Sequence, residues 1–137
     1  MATPEDDAVL TANRAFYRAF VDADLAAMDA VWARDAPVAC IHPGWDALTG
    51  RPAVMASWRD ILSQHTPIQC RAERVLVFGD SACVICHETL GSGPTSGLLI
   101  ATNLFVREAG AWRLVHHQAG GVAPGARAAP APPSRLN

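Results

Sequence analysis

The chain contains no lysine; all eleven of its basic residues are arginine. Schiff-base catalysis and lysine-anchored pyridoxal phosphate need a primary amine on the side chain, so both are excluded. The arginines do not cluster and the formal net charge is −2, so no nucleic-acid partner is expected. No apolar run approaches the roughly 20 residues that span a bilayer, and no membrane role is expected. The opening Met-Ala-Thr-Pro-Glu-Asp-Asp has neither a basic n-region nor an apolar h-region. A signal peptide is therefore not expected, and a cytoplasmic location is the default. Neither a Gly-x-Gly-x-x-Gly fingerprint nor a βαβ alternation is present, which disfavours doubly wound nucleotide-binding folds. No Gly-x-Ser-x-Gly elbow occurs. The five histidines, at 42, 65, 87, 116 and 117, form no His-x-x-x-His pair and no facial pattern with carboxylates. No metal and no cofactor are expected.

Cysteine is sparse: Cys40, Cys70, Cys83 and Cys86, all in apolar segments. Cys83-x-x-Cys86 has the spacing of a redox or zinc motif. Its context, Ala-Cys-Val-Ile-Cys-His, reads as a strand, and residues three apart on a strand point to opposite faces. Buried thiols in a reducing compartment are expected. What the chain does have is apolar mass. Half of its 137 residues are hydrophobic, enough for one core without cross-links.

The pattern predicts helices first. Thr3, Pro4 and the acidic Glu5-Asp-Asp7 open a helix to about Asp22, with Val9, Ala12, Phe16, Ala19 and Phe20 at helical spacing. Asp24 caps a short second helix carrying Leu25, Met28, Val31 and Trp32. Pro37 to His42 reads as a strand ended by Pro43-Gly44, and a loop with Trp45 and Asp46 follows. Pro52 opens a third helix from about Ala53 to Gln64. Four strands are then predicted: Ile68 to Phe78, Ala82 to Leu90, Leu98 to Arg107 and Ala111 to Ala119. Turns at Gly79-Asp80 and Glu108-Ala109-Gly110 and the connection Gly91–Gly97 separate them. This order predicts an α+β domain over residues 1–121, with three N-terminal helices packed on a curved, mostly antiparallel sheet. Residues 122–137 are rich in Pro and Ala and read as a disordered tail.

Three stretches carry a family resemblance. They are Asp22-Ala-Asp-Leu-Ala-Ala-Met28, Ile41-His-Pro-Gly-Trp-Asp-Ala-Leu-Thr-Gly50, and the pair Ala101-Thr-Asn-Leu-Phe-Val-Arg107 with Gly110-Ala-Trp-Arg-Leu-Val-His-His-Gln-Ala119. In this order they resemble the NTF2-like superfamily, and within it the SnoaL-like family. Ketosteroid isomerase-like proteins and the calcium/calmodulin-dependent kinase association domain are relatives. The resemblance implies a cone fold, a pocket between sheet and helices, and homodimers through the sheet. It does not choose among isomerase, cyclase, dehydratase, hydrolase and binding module.

Site residues follow from that likeness and from the chemistry. His42-Pro43 stands where isomerase-like members carry a general-base aspartate, and imidazole can act as a base near neutral pH. The plain alternative is a hydrogen bond from His42 to the Trp45 loop. The family's first-helix tyrosine falls near Phe16, with Tyr17 one residue on, a rotation of about 100°. Its enolate-stabilising acid falls near Thr102 or Asn103, which donate only neutral hydrogen bonds. Ketosteroid isomerase activity is therefore not expected. The resemblance places Val115, His117 and Ala119 on the pocket wall and turns His116 toward the partner sheet or the outside. Glu88 shares a strand face with Val84 and Cys86 and pairs with His117 or His42 as an acid–base unit. Alternatively it faces solvent or meets Arg71 or Arg113, and a one-residue slip exchanges it for His87. Phe16, Tyr17, Trp45, Trp58, Cys86, Thr102, Asn103 and Leu104 are the expected ligand contacts, with Thr102 and Asn103 as oxyanion donors. The functional expectation is a small, partly apolar organic ligand in the cone. It is turned over by acid–base chemistry, or else held by a non-catalytic binding or homodimerisation module.

Overall fold

A computed structural model describes residues 2–93, 96–123 and 126. The first helix, α1 (Pro4–Val21), begins with a reciprocal cap. Thr3 Oγ1 accepts from the Asp6 N–H, and the Thr3 N–H donates to the Asp6 carboxylate, each at 3.0 Å. The chain turns through Ala23 at φ +52, and Asp24 caps α2 (Leu25–Val31) by accepting from the Ala27 N–H. The third helix, α3 (Arg51–Leu62), starts and ends two residues earlier than its pattern predicts. Gly50, at φ +86, makes the entry turn that an L side chain would strain.

Six strands form one sheet: β1 (Ala39–Ile41), β2 (Leu48–Thr49), β3 (Ile68–Phe78), β4 (Ser81–Leu90), β5 (Gly97–Glu108) and β6 (Ala111–Gly121). Their spatial order is β2-β1-β6-β5-β4-β3. Only β1 and β6 run parallel; the other neighbours are antiparallel. Strand β2 was not predicted, since two residues carry no readable alternation. The β5–β6 turn puts Ala109 and Gly110 both at positive φ, the backbone of a tight hairpin. Pro94 and Thr95 of the predicted Gly91–Gly97 connection lie outside the described residues, as do residues 124–125 and 127–137 of the predicted tail.

Two bulges decide what faces inward. In β6 the register passes from Phe105↔Leu114 to Leu104↔His116, leaving Val115 as the extra residue. In β3 it jumps from Arg71↔His87 to Arg74↔Ile85, with Ala72 at φ +57 in the gap. A bulge shifts the in–out phase of everything beyond it and bends the strand. The helices cover the inner face. The core joins Val9, Phe16 and Phe20 of α1 to Trp32, Trp58, Phe105 and Leu114, all at most 8% exposed. Among the described residues no helix is long and apolar enough to cross a membrane.

Candidate functional site

Three strands contribute one chemically active side chain each to a common cavity on the sheet's inner face. β1 runs out at His42, β4 presents Glu88 and β6 presents His117; they are 3%, 2% and 2% exposed. All three line a cavity of about 240 Å³, together with Phe20, Trp45 and Leu99. The His42 and His117 rings lie 6.5 Å apart, and His117 Nε2 is 3.9 Å from Glu88 Oε2.

The protonation of His42 follows from its partner. Ser57 Oγ lies 2.6 Å from the Val54 carbonyl and 2.8 Å from His42 Nε2. The hydroxyl has one proton, and the carbonyl can only accept. Ser57 therefore donates to Val54, and His42 Nε2–H donates to Ser57. The lone pair is left on Nδ1. Burial lowers the His42 pKa to about 4, so the ring is neutral near pH 7. Cys40 lies beside it, 3.7 Å from Nε2, with its thiol pushed up to about 12 by burial and by Glu88. It is an unreactive neighbour.

His117 is oriented the opposite way. Its Nδ1–H donates to Asn103 Oδ1 at 2.5 Å, which leaves the Nε2 lone pair toward Glu88. Burial, then the fields of His42 and His116, lower its pKa to about 3. Glu88 accepts from the Tyr17 hydroxyl at 2.5 Å. Burial raises the Glu88 carboxyl above its ordinary range and outweighs that hydrogen bond. The Tyr17 phenol is itself pushed up, first by burial, and stays protonated. A carboxyl whose pKa burial raises thus stands 3.9 Å from an imidazole whose pKa burial lowers.

The other expected contacts divide. Trp45, 46% exposed, stands at the mouth against the His42 ring. Phe16 and Trp58 are fully buried behind the two imidazoles, with Phe16–His117 at 4.9 Å and Trp58–His42 at 4.8 Å between centroids. They pack the site and do not line the cavity. Cys86 also lies behind it, with Sγ 3.3 Å from Tyr17 Oη. Tyr17 turns its hydroxyl into the polar cluster, and its ring lines a separate, open groove between α1 and β3. Thr102 and Leu104 are corrections. They alternate with the buried Ala101, Asn103 and Phe105 and so lie on the outer face. Asn103 is inward, but both of its N–H groups are spent, on Asn13 Oδ1 at 2.8 Å and Tyr17 Oη at 3.1 Å. Neither residue is an oxyanion donor here. Val115 leaves the pocket wall because it is the bulge residue; Leu114 takes the inward place.

Glu88 takes the inward register and His87 the other. Arg71 reaches Thr89, and Arg113 reaches the Ala30 carbonyl, so neither pairs with Glu88. The sequence reading missed Phe20 as a wall, Ser57 as the partner of His42, and Asn13. Both polar residues carried a signal: each interrupts an apolar helical stripe, Val9-Asn13-Phe16 and Val54-Ser57-Ile61. Among the described residues, no group of three or more His, Cys, Asp or Glu is placed to hold a metal ion.

A cone of three helices on this sheet, closed over a small cavity with titratable walls, defines the NTF2-like class. A family model described as the SnoaL-like domain matches residues 9–123, and the chain belongs to that family. It is similar to a candidate dehydratase of the NTF2-like family from Streptomyces avermitilis, with 34% identity and a TM-score of 0.79, over 89% of this chain and all of that one. It is also similar to a candidate calcium/calmodulin-dependent protein kinase type II association domain from Thiobacillus denitrificans, with 38% identity and a TM-score of 0.75, over 90% of this chain and 98% of that one. The F-box protein SKIP8 of Arabidopsis thaliana is 29% identical over 112 residues, which are 80% of this chain. The chain spans about half the length of that curated relative, 48%.

Proposed function

We propose that the chain is an acid–base enzyme that removes water from, or moves a proton within, a small and partly apolar hydroxy or carbonyl compound. One observation carries the reading: two buried imidazoles and a buried carboxyl converge on one cavity, where burial favours the neutral form of each. Its volume is about 240 Å³, room for about eight waters, and lies below the roughly 300–1,000 Å³ of drug-sized sites. In an elimination, the His42 imidazole takes the proton from the carbon next to the carbonyl. The C–H electron pair becomes the new C=C bond. The C–O bond breaks, and the Glu88 carboxyl protonates the departing hydroxyl, so water leaves. The His117 Nε2 lone pair, 3.9 Å from Glu88, can take up the carboxyl proton and return it. The likeness to the Streptomyces candidate dehydratase supports this class.

The test is a screen of short-chain β-hydroxy acids and β-hydroxy ketones, followed by ultraviolet absorbance of the unsaturated product. His42→Asn and Glu88→Gln should each lower kcat by about 10²–10⁴-fold while circular dichroism is unchanged. Activity should rise with pH through the low His42 value and fall where Glu88 loses its proton. Full turnover in His42→Asn would remove the proposed base.

A second reading has its own observation. Leu98, Ile100 and Leu104 alternate along β5 on the outer face, 45%, 45% and 38% exposed. We propose that a second copy of the chain covers this row, so that homodimerisation accompanies the pocket's role. Exposed apolar rows on a sheet face are favoured at interaction sites.

A further inference from the structure

Behind His117 runs a chain of hydrogen bonds that ends at the edge of the sheet. Arg14 pairs with Glu73 Oε1 at 3.1 Å. Glu73 Oε2 accepts from Asn13 Nδ2 at 2.8 Å. Asn13 Oδ1 accepts from Asn103 Nδ2 at 2.8 Å, and Asn103 Oδ1 accepts from His117 Nδ1 at 2.5 Å. Asn13, Asn103 and His117 are at most 2% exposed, so no bulk water relaxes these choices.

The chain has a sense of direction, and only one of its members dictates it. Each amide can donate or accept, and a neutral imidazole can carry its proton on either nitrogen. A carboxylate can only accept. Glu73 therefore compels Asn13 to present its NH₂ outward and its oxygen inward. Asn103 must then give an N–H to Asn13 and its oxygen to His117. His117 must carry its proton on Nδ1, which leaves the Nε2 lone pair beside Glu88. The second Asn103 N–H goes to Tyr17 Oη at 3.1 Å, so the Tyr17 proton is directed to Glu88.

Without an obligate acceptor at position 73, a fully bonded reverse state would be open. With both amides flipped, Asn103 would donate to His117 Nδ1, the imidazole proton would sit on Nε2 toward Glu88, and Tyr17 would donate to Asn103. The acid and the acceptor would exchange roles across the 3.9 Å gap. We infer that Glu73 is a positioning residue that selects the first state and so sets the His117 tautomer from outside the cavity. The β3 bulge puts it there: with Ala72 at φ +57, Glu73 turns inward and Arg74 outward, opposite Ile85. A regular strand would alternate inward Cys70, Ala72 and Arg74, and the chain would begin at a donor.

This inference rests on the reading that the His117 Nε2 lone pair takes part in the proton chemistry, but its test needs no substrate. Nitrogen-15 NMR of histidine-labelled protein reports which ring nitrogen bears the proton. In the unaltered chain His117 should show a single Nδ1–H tautomer. In Glu73→Gln, an isosteric change at a side chain 17% exposed, the terminal amide can donate or accept, and the two His117 nitrogens should move toward each other as both tautomers populate. Adding Asn13→Asp restores an obligate acceptor next to Asn103. The double variant should return to the single Nδ1–H tautomer, which a merely structural role for Glu73 does not predict. An unchanged single tautomer in Glu73→Gln would overturn the inference, as would a mixture that persists in the folded double variant. A loss of the dehydratase reading through His42→Asn would leave both NMR outcomes intact. With a substrate in hand, Glu73→Gln should lower kcat by about tenfold with KM little changed, because binding surfaces are untouched.

Discussion

At the scale of single residues, the site's buried imidazoles tie stability to acidity. His42 titrates near 4 and His117 near 3 in the folded chain, against an ordinary value of 6.5, chiefly through burial. Between pH 6.5 and about 4 the unfolded chain therefore binds up to two protons that the folded chain refuses. The stability these groups contribute is complete above pH 6.5 and declines as pH falls toward 4. Glu88 works in the opposite sense. Its folded pKa is raised above 4.5, so above that value the folded state keeps a proton that the unfolded state releases. The urea midpoint should fall from pH 6.5 to 4.5, and in Glu88→Gln, without the offset, it should fall more steeply. A flat midpoint across this window would mean that the imidazoles are not held neutral. Of these residues, Glu88 was legible because strand alternation groups it with Val84 and Cys86. Ser57 and Asn13 were not read, because a polar residue on an apolar stripe has meaning only once its partner arrives from another element.

At the scale of elements, connections matter more than strand content. Glu108, at the end of β5, accepts the backbone N–H groups of Arg34, Asp35 and Ala36 at 2.7, 2.9 and 3.0 Å. These backbone bonds hold its carboxyl below its ordinary range, so its contribution is present at neutral pH and lost as pH falls through the depressed value. The clamp fixes the segment that leads from α2 into β1, and hence the start of the strand that carries His42. Glu108→Ala should lower the melting temperature and speed amide exchange most at Arg34, Asp35 and Ala36. Uniformly faster exchange across the sheet would argue against a local clamp. The two bulges belong to this scale as well. Neither Val115 nor Ala72 advertises an extra residue in the one-dimensional pattern, since a bulge is defined only by the strand opposite.

At the scale of the whole molecule, the sheet has two faces with different fates. The inner face is covered by α1 and α3 and holds the cavity. The outer face leaves the β5 row of Leu98, Ile100 and Leu104 in solvent, with Thr102 among them. If a second copy covers this row, sedimentation should report a dimer, and Ile100→Lys should shift it to monomer with the secondary structure unchanged, because a charge opposite its own symmetry mate repels. A monomer in the unaltered chain at high concentration would end that reading.

The sequence by itself determined the order of the three helices and of every strand but β2, the α+β class and the family likeness. Helical and strand periodicity are local and survive without partners. It also put His42 at the end of its strand and Glu88 on one strand face with Val84 and Cys86, and the family likeness put His117 on the pocket wall. Only the tertiary structure decided that Asn103 faces in while Thr102 and Leu104 face out, that both Asn103 N–H groups are already engaged, and that Phe16 and Trp58 stand behind the imidazoles instead of lining the cavity. These outcomes depend on register across strands, on bulges and on hydrogen-bond partners as far as 90 residues apart, such as Asn13 and Asn103. No pattern along one strand encodes which of its neighbours will be there to accept a proton.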